Sequence, residues 1–147
     1  MVALKAFSIK FIIVGRGSPF LVRGWTKMHL ISFRELSGKQ LNQLVDMGIE
    51  VKNNPEKFAE KLHGKSLALV FQKTSTRTRV AFEVAMTQLG GHGLYIDWRT
   101  TNFTLADIFD ETKYLSRNVD CIMARLLLNE DLQKMIASRQ DVLGSAI

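Results

Sequence analysis

Five apolar residues, Leu67-Ala68-Leu69-Val70-Phe71, run into Gln72-Lys73-Thr74 and then into Ser75-Thr76-Arg77-Thr78-Arg79. No other stretch constrains the fold as much. An unbroken apolar run of this length predicts a strand covered on both faces, the mark of a parallel sheet between helices. Residues 80–89 have helical patterning and stop at Gly90-Gly91, a C-terminal helix signal. Hydroxyls and guanidiniums therefore gather where a buried strand hands over to a helix. The first turn of a helix offers unpaired N–H groups and a partial positive charge, which suits phosphate. Ser75, Thr76 and Thr78 add hydroxyl donors, and Arg77 adds a planar fork that matches phosphate oxygens. A helix cap needs only one hydroxyl at this place. It has no use for two arginines interleaved with three hydroxyls.

The flanking segments repeat the strand–helix alternation. Ser37-Gly38-Lys39-Gln40 is a capping box, Leu36 and Leu41 fit a hydrophobic staple, and Leu44 and Val45 extend an apolar face, so a helix is expected over 37–52. Asn53-Asn54-Pro55 stops it, and a short second helix is expected over 56–62 before Gly64. Strand Ser66–Phe71 follows, then the loop and a helix expected to be largely buried through Val80, Ala81, Val84, Ala85 and Met86. Residues 94–98 form a second strand, and 99–102 a polar loop. A helix is expected to begin at Thr104, with Asp107 completing a partial capping box and Leu105, Ile108, Phe109, Thr112 and Leu115 at helical spacing. Cys121-Ile122-Met123-Ala124 is a third buried strand ending at Arg125. Asn129 caps a last helix with Glu130 and Asp131 in its first turn, and 141–147 is a weak candidate for a fourth strand. The pattern predicts an α/β, three-layer domain: a parallel sheet of about four strands flanked by helices, with right-handed crossovers.

The balance of charge is informative by position. The net charge is +6. Residues 1–27 contain Lys5, Lys10, Arg16, Arg23 and Lys27 and no acid, which leaves one net positive charge on residues 28–147. The globular part is thus nearly neutral, and no nucleic-acid partner is expected. Residues 1–27 read as a basic leader that is disordered or foreign to the domain; a targeting role is the alternative, although no small-residue cleavage site follows the apolar run cleanly. Residues 28–147 are expected to be the folded domain. No apolar run approaches the roughly 18 residues of a membrane span. With the single cysteine Cys121, no internal disulfide can form, which suits the cytoplasm. His29, His63 and His92 have no metal-ligand spacing, so neither a metal nor another cofactor is expected.

Ser-Thr-Arg-Thr-Arg after an apolar strand resembles the carbamoyl-phosphate loop of the aspartate/ornithine carbamoyltransferases. The preceding Lys73-Thr74 resembles the ornithine branch; the aspartate branch usually has a proline just before the motif. The resemblance covers roughly residues 30–139. It implies that Ser75, Thr76, Arg77 and Thr78 hold the phosphate of carbamoyl phosphate. It also implies that Arg125, after a strand matching Cys121-Ile122-Met123-Ala124, touches the carbonyl oxygen. Arg77 and Arg125 are then the catalytic residues. The implied reaction is attack by the δ-amino group of ornithine on carbamoyl phosphate, giving citrulline and phosphate, in a homotrimer. Arg79 either binds phosphate or braces the loop through Glu83, its i+4 neighbour. Trp98 packs over the site or merely finishes a strand. Cys121, inside a strand, is a small core residue.

The sequence departs from the family in two places. Thr101-Asn102-Phe103-Thr104-Leu105-Ala106-Asp107 lacks the usual Gln, Gly and Glu-Ser of the loop that reaches a neighbouring subunit, so no ligand role is carried onto it. The His-Pro-x-Gln segment and the second, amino-acid-binding domain are absent. The expected ornithine site lies in that missing domain, and the chain reads as a fragment or the product of a truncated or frameshifted gene. Two rival readings follow: a catalytically inactive anion-binding module, and an aspartate-type transferase.

Overall fold

A computed structural model of the protein describes residues 14–15 and 30–144, with side chains for residues 30–138. Its strands are β1 (Val14–Gly15), β2 (Ser66–Phe71), β3 (His92–Asp97) and β4 (Cys121–Arg125); its helices are α1 (Gly38–Asn53), α2 (Thr76–Gln88), α3 (Ile108–Asn118) and α4 (Asn129–Gly144). The sheet order is β1-β4-β2-β3. β2 lies at the centre, parallel to β3 on one side and to β4 on the other. β1 adds two residues antiparallel to β4, Val14 opposite Ile122 and Gly15 opposite Cys121. The parallel sheet thus has three strands, and the expected α/β, three-layer architecture is present. The remainder of the expected leader over residues 1–27 lies outside the described residues.

Alternation along β2 explains the layers. Ala68 and Val70 point to one face, where Ile122 and Ala124 of β4 join Leu132 and Met135 of α4, with Ile108 and Leu115 of α3 packed alongside. Leu67, Leu69 and Phe71 point to the other face, with Met123 and with Met86 and Phe82 of α2. Side chains that alternate with period 2 must find apolar cover on both sides, which is why every residue from Leu67 to Phe71 is apolar. Cys121 is buried among this second group, as a core residue.

Helix α1 starts as its sequence predicts. Ser37 Oγ accepts from Gln40 N and Gln40 Oε1 accepts from Ser37 N, the reciprocal capping box. Its expected apolar face is not covered, however: α1 has no buried residue.

Four other expectations are corrected. Residues 56–62 do not form a helix; a 3-10 turn at Pro55–Lys57 gives way to turns that end at Gly64, whose φ is +69°. Asn54 offers no side-chain cap there, so the turn is not extended. Helix α2 begins at Thr76 rather than Val80, and of its residues only Met86 is buried; Val80 and Val84 are 50% and 46% exposed. Its apolar residues are spread around the helix, and only one side reaches the sheet.

The helix expected from Thr104 begins at Ile108. Asp107 accepts from Phe109 N at 2.7 Å and is the actual cap. Upstream, Phe103 is pulled inward to stack on Trp98 with ring centroids 4.6 Å apart. That turns the chain through two 3-10 segments, Trp98–Thr100 and Asn102–Thr104, and leaves Leu105 85% exposed. Finally, residues 141–144 continue α4 and are not a fourth strand. No breaker lies between Asn129 and Gly144, so nothing ends the helix earlier. Among the described residues no helix is long and apolar enough to cross a membrane.

Candidate functional site

Strand register fixes where the chemistry collects. Phe71, the last residue of β2, pairs with Asp97 at the end of β3 and with Arg125 at the end of β4. All three strand ends therefore lie along one edge of the sheet, the edge at which open α/β sheets receive ligands. The loop from Gln72 to Ser75 leaves this edge and enters α2.

Ser75 is the N-cap residue by position, with extended backbone, but its side chain caps no amide. Its Oγ instead donates to Thr78 Oγ1 at 3.0 Å. The N–H of Arg79 is the first to find a helical carbonyl, that of Ser75. The first-turn amides ahead of it, those of Thr76, Arg77 and Thr78, are left without intrahelical partners. Side-chain capping by Ser75 is thereby ruled out, and the positive end of α2 stays open.

Thr78 is the hub of the site. Its Oγ1 accepts from Ser75 Oγ and also from Arg125 Nη1 at 3.3 Å. A hydroxyl has two lone pairs and one proton; with both lone pairs engaged, the proton of Thr78 remains to be donated. Arg125 and Thr78 are 47 residues apart in sequence, so this bond ties the end of β4 to the first turn of α2. Both side chains are half-buried, while Thr76 and Arg77 are exposed. Among the described residues Arg77 forms no ion pair.

Arg79 is committed elsewhere. Its Nε donates to Glu83 Oε1 at 3.2 Å, and its guanidinium lies 3.7 Å from the centroid of the Tyr95 ring. Of the two roles open to it, bracing through Glu83 is the one that the geometry supports. Trp98 is buried against Phe103 in the core and does not cover the site.

Two features at this edge escaped sequence reasoning. Gln72 bonds through its backbone N–H to Arg125 O, and through its side chain to Leu127 N and Asp131. Asp97 accepts from Arg99 three times, through the backbone N and through Nε and Nη2. The side-chain hydrogen bond from Arg99, then the backbone one, holds the Asp97 carboxyl down to about 2. A polar residue directly after a buried strand was the available signal for Gln72. Neither partner of its side chain could be read from spacing, because both lie more than 50 residues away. Among the described residues no His, Cys, Asp or Glu group is arranged to hold a metal ion.

The arrangement is suited to a small dianion. An open helix start and an unpaired guanidinium would hold phosphate, and a second guanidinium would sit beside a hydroxyl whose proton is available. Known proteins carry the same frame. Residues 28–144 match the family model described as aspartate/ornithine carbamoyltransferase, carbamoyl-P binding domain. The catabolic ornithine carbamoyltransferase of Halobacterium salinarum is 36% identical over 115 residues, covering 78% of this chain and 39% of that protein. The ornithine carbamoyltransferase of Methylococcus capsulatus is 42% identical over 98 residues, 66% of this chain and 33% of that one. In the solved structures, the ornithine carbamoyltransferase from Pyrococcus furiosus superposes with a TM-score of 0.68 at 31% identity, over 85% of this chain and 37% of the other. The chain thus spans between 33% and 39% of the length of these relatives. On the match over residues 28–144, the chain belongs to the aspartate/ornithine carbamoyltransferase family, of which it carries the carbamoyl-P binding domain.

Proposed function

We propose that this chain supplies the carbamoyl-phosphate site for carbamoyl transfer to the δ-amino group of ornithine, with citrulline and phosphate as products. The observation that carries the reading is the open first turn of α2, with unpaired Arg77 in it and Thr78 hydrogen-bonded to Arg125 across the sheet edge. Ser75, Thr76, Arg77 and Thr78 hold the phosphate group. Arg125, with Thr78, polarises the carbonyl oxygen and stabilises the negative charge that develops there. The amine nitrogen forms a bond to the carbonyl carbon, a tetrahedral intermediate results, and the bond from carbon to the phosphate oxygen breaks. The attacking nitrogen gives up a proton as phosphate leaves. Neither a covalent nucleophile nor a metal is required, because positioning and electrostatics suffice for this transfer.

Ornithine as acceptor is supported by the names of the relatives, which are ornithine carbamoyltransferases at 36% and 42% identity. The aspartate-type alternative has weaker support: the aspartate carbamoyltransferase structures are 20% and 17% identical to this chain, a likeness of fold. The same reading places the ornithine site in the part of the relatives that this chain does not span. It further assigns a homotrimer, the cytoplasm and a step of arginine biosynthesis.

Titration with carbamoyl phosphate tests it. Arg77→Ala should weaken binding by about 1.5–3 kcal/mol, the worth of one charge-assisted hydrogen bond. Equal binding by the two proteins would refute the site. A second reading is an anion-binding module without turnover. A citrulline assay on the purified chain separates the two: turnover at a rate ordinary for enzymes eliminates the inactive module.

A further inference from the structure

Gln72 is engaged on three sides. Its backbone N–H donates to Arg125 O at 3.0 Å. Its Oε1 accepts from Leu127 N at 2.6 Å, and its Nε2 donates to Asp131 Oδ2 in the first turn of α4. A primary amide has an acceptor end and a donor end with no net charge. Here the acceptor end meets a backbone N–H and the donor end meets a buried carboxylate.

Apolar packing anchors this segment at Leu126, which is buried in the core, while Leu127 and Leu128 are 60% and 58% exposed, so packing alone leaves most of the connection from β4 to α4 unfixed. Arg125 begins that connection, and its guanidinium reaches Thr78. One residue thereby holds the backbone on both sides of Leu126, Arg125 through its main-chain N–H and Leu127 through its side chain, immediately next to the guanidinium that links the two halves of the site.

We propose that Gln72 is a positioning residue: by strapping the β4–α4 connection to the end of β2, it sets the place of the Arg125 guanidinium against Thr78. The proposal rests on the reading of Ser75–Thr78 and Arg125 as the carbamoyl-phosphate site. It goes beyond that reading by assigning the accuracy of the site to a residue that does not touch the ligand.

The choice of an amide has a specific consequence. In Gln72→Glu the acceptor end survives, but the other end sets a carboxylate against Asp131. In the double variant Gln72→Glu/Asp131→Asn the donor and acceptor are exchanged, and the strap is restored with its polarity reversed.

NMR-monitored titration of the full chain with carbamoyl phosphate tests this. Gln72→Glu should weaken binding about tenfold, the equivalent of one lost charge-assisted hydrogen bond. The double variant should return to within about twofold of the unaltered chain, as expected of two coupled groups. In an Arg125→Ala background, Gln72→Glu should change affinity by less than about twofold, because the effect runs through Arg125.

A bracket with a purely structural role would lower the unfolding temperature of Gln72→Glu and leave its affinity unchanged, or would add independently to Arg125→Ala. Either result overturns the proposal. If Gln72→Glu does not fold, Gln72→Met, which keeps the length and removes both polar ends, takes its place, and unchanged affinity there overturns the proposal equally. Arg77→Ala is the control for the underlying site. If it binds as the unaltered chain does, the reading of the site fails; if it loses affinity while Gln72→Glu does not, only the positioning role fails.

Discussion

Two arginines in one short motif have different jobs, and the difference follows from what each touches. Arg77 is exposed and makes no ion pair among the described residues. Arg79 is paired with Glu83 one turn on and lies over the Tyr95 ring. A guanidinium already engaged by a carboxylate and an aromatic face braces α2 against β3 and has little left for an anion. Arg79→Ala should therefore cost about 0.5–1 kcal/mol of stability, a modest figure because solvent screens the exposed ion pair. Urea unfolding measures that loss. Carbamoyl-phosphate affinity should stay within about twofold of the unaltered chain, since distant or uncoupled sites act independently. A loss of affinity as large as that of Arg77→Ala would mean that Arg79 also grips the ligand. The sequence already offers Glu83 as the i+4 partner of Arg79 but leaves phosphate open to it as well. The fold, by forming that pair and bringing Tyr95 of β3 alongside, decides between the two.

At the scale of elements, β2, β4 and the start of α1 were legible because local sequence and structure agree there. The run Leu67–Phe71 is apolar throughout because both its faces are covered, and Ser37 with Gln40 forms the cap that its spacing announces. The region from Trp98 to Asp107 was misread because one long-range contact overrides local pattern. Phe103 stacks on Trp98, and the helix must wait for Asp107. At the end of β3 another local brace was equally hidden: Asp97 and Arg99 are two residues apart, a spacing with no periodicity to betray it.

The brace at Asp97 predicts a pH dependence. The carboxyl is lowered from 3.8 to about 2, chiefly by the Arg99 side-chain hydrogen bond. A depressed folded-state value means that the brace stabilises the fold fully above the unfolded value and is lost as pH falls through the folded one. Comparing urea unfolding of the unaltered chain and Asp97→Asn should show a constant difference at pH above 3.8 that shrinks as pH falls toward 2. A difference that persists undiminished at the acid end would assign the effect to something other than the ion pair.

The whole molecule divides its charge unevenly, and that division separates two kinds of anion binding. The net charge is +6, and Lys5, Lys10, Arg16, Arg23 and Lys27 account for all but one unit of it. Residues 28–147, which contain Arg77 and Arg125, are close to neutral, so the proposed site must attract a dianion through a few directed donors and not through a broad positive field. A field of scattered lysines and arginines holds polyanions loosely and loses them to salt, whose screening length is about 8 Å at physiological strength. Directed donors at a helix start are less sensitive to salt because they work at contact distance. The full chain should thus be retained on immobilised heparin at low salt and released near physiological salt. A version beginning at Met28 should pass through. That version also loses the pairing of Val14 and Gly15 with β4, which exposes a strand edge, so circular dichroism should first establish that it is folded. Given the fold, its affinity for carbamoyl phosphate should match that of the full chain to within about twofold, because screening removes distant charges from the account. Equal retention of both versions on heparin would place a basic track on residues 28–147, where the sequence balances its charges. A collapse of carbamoyl-phosphate affinity in the folded shorter version would show that the charge on residues 1–27, and not the first turn of α2, attracts the ligand.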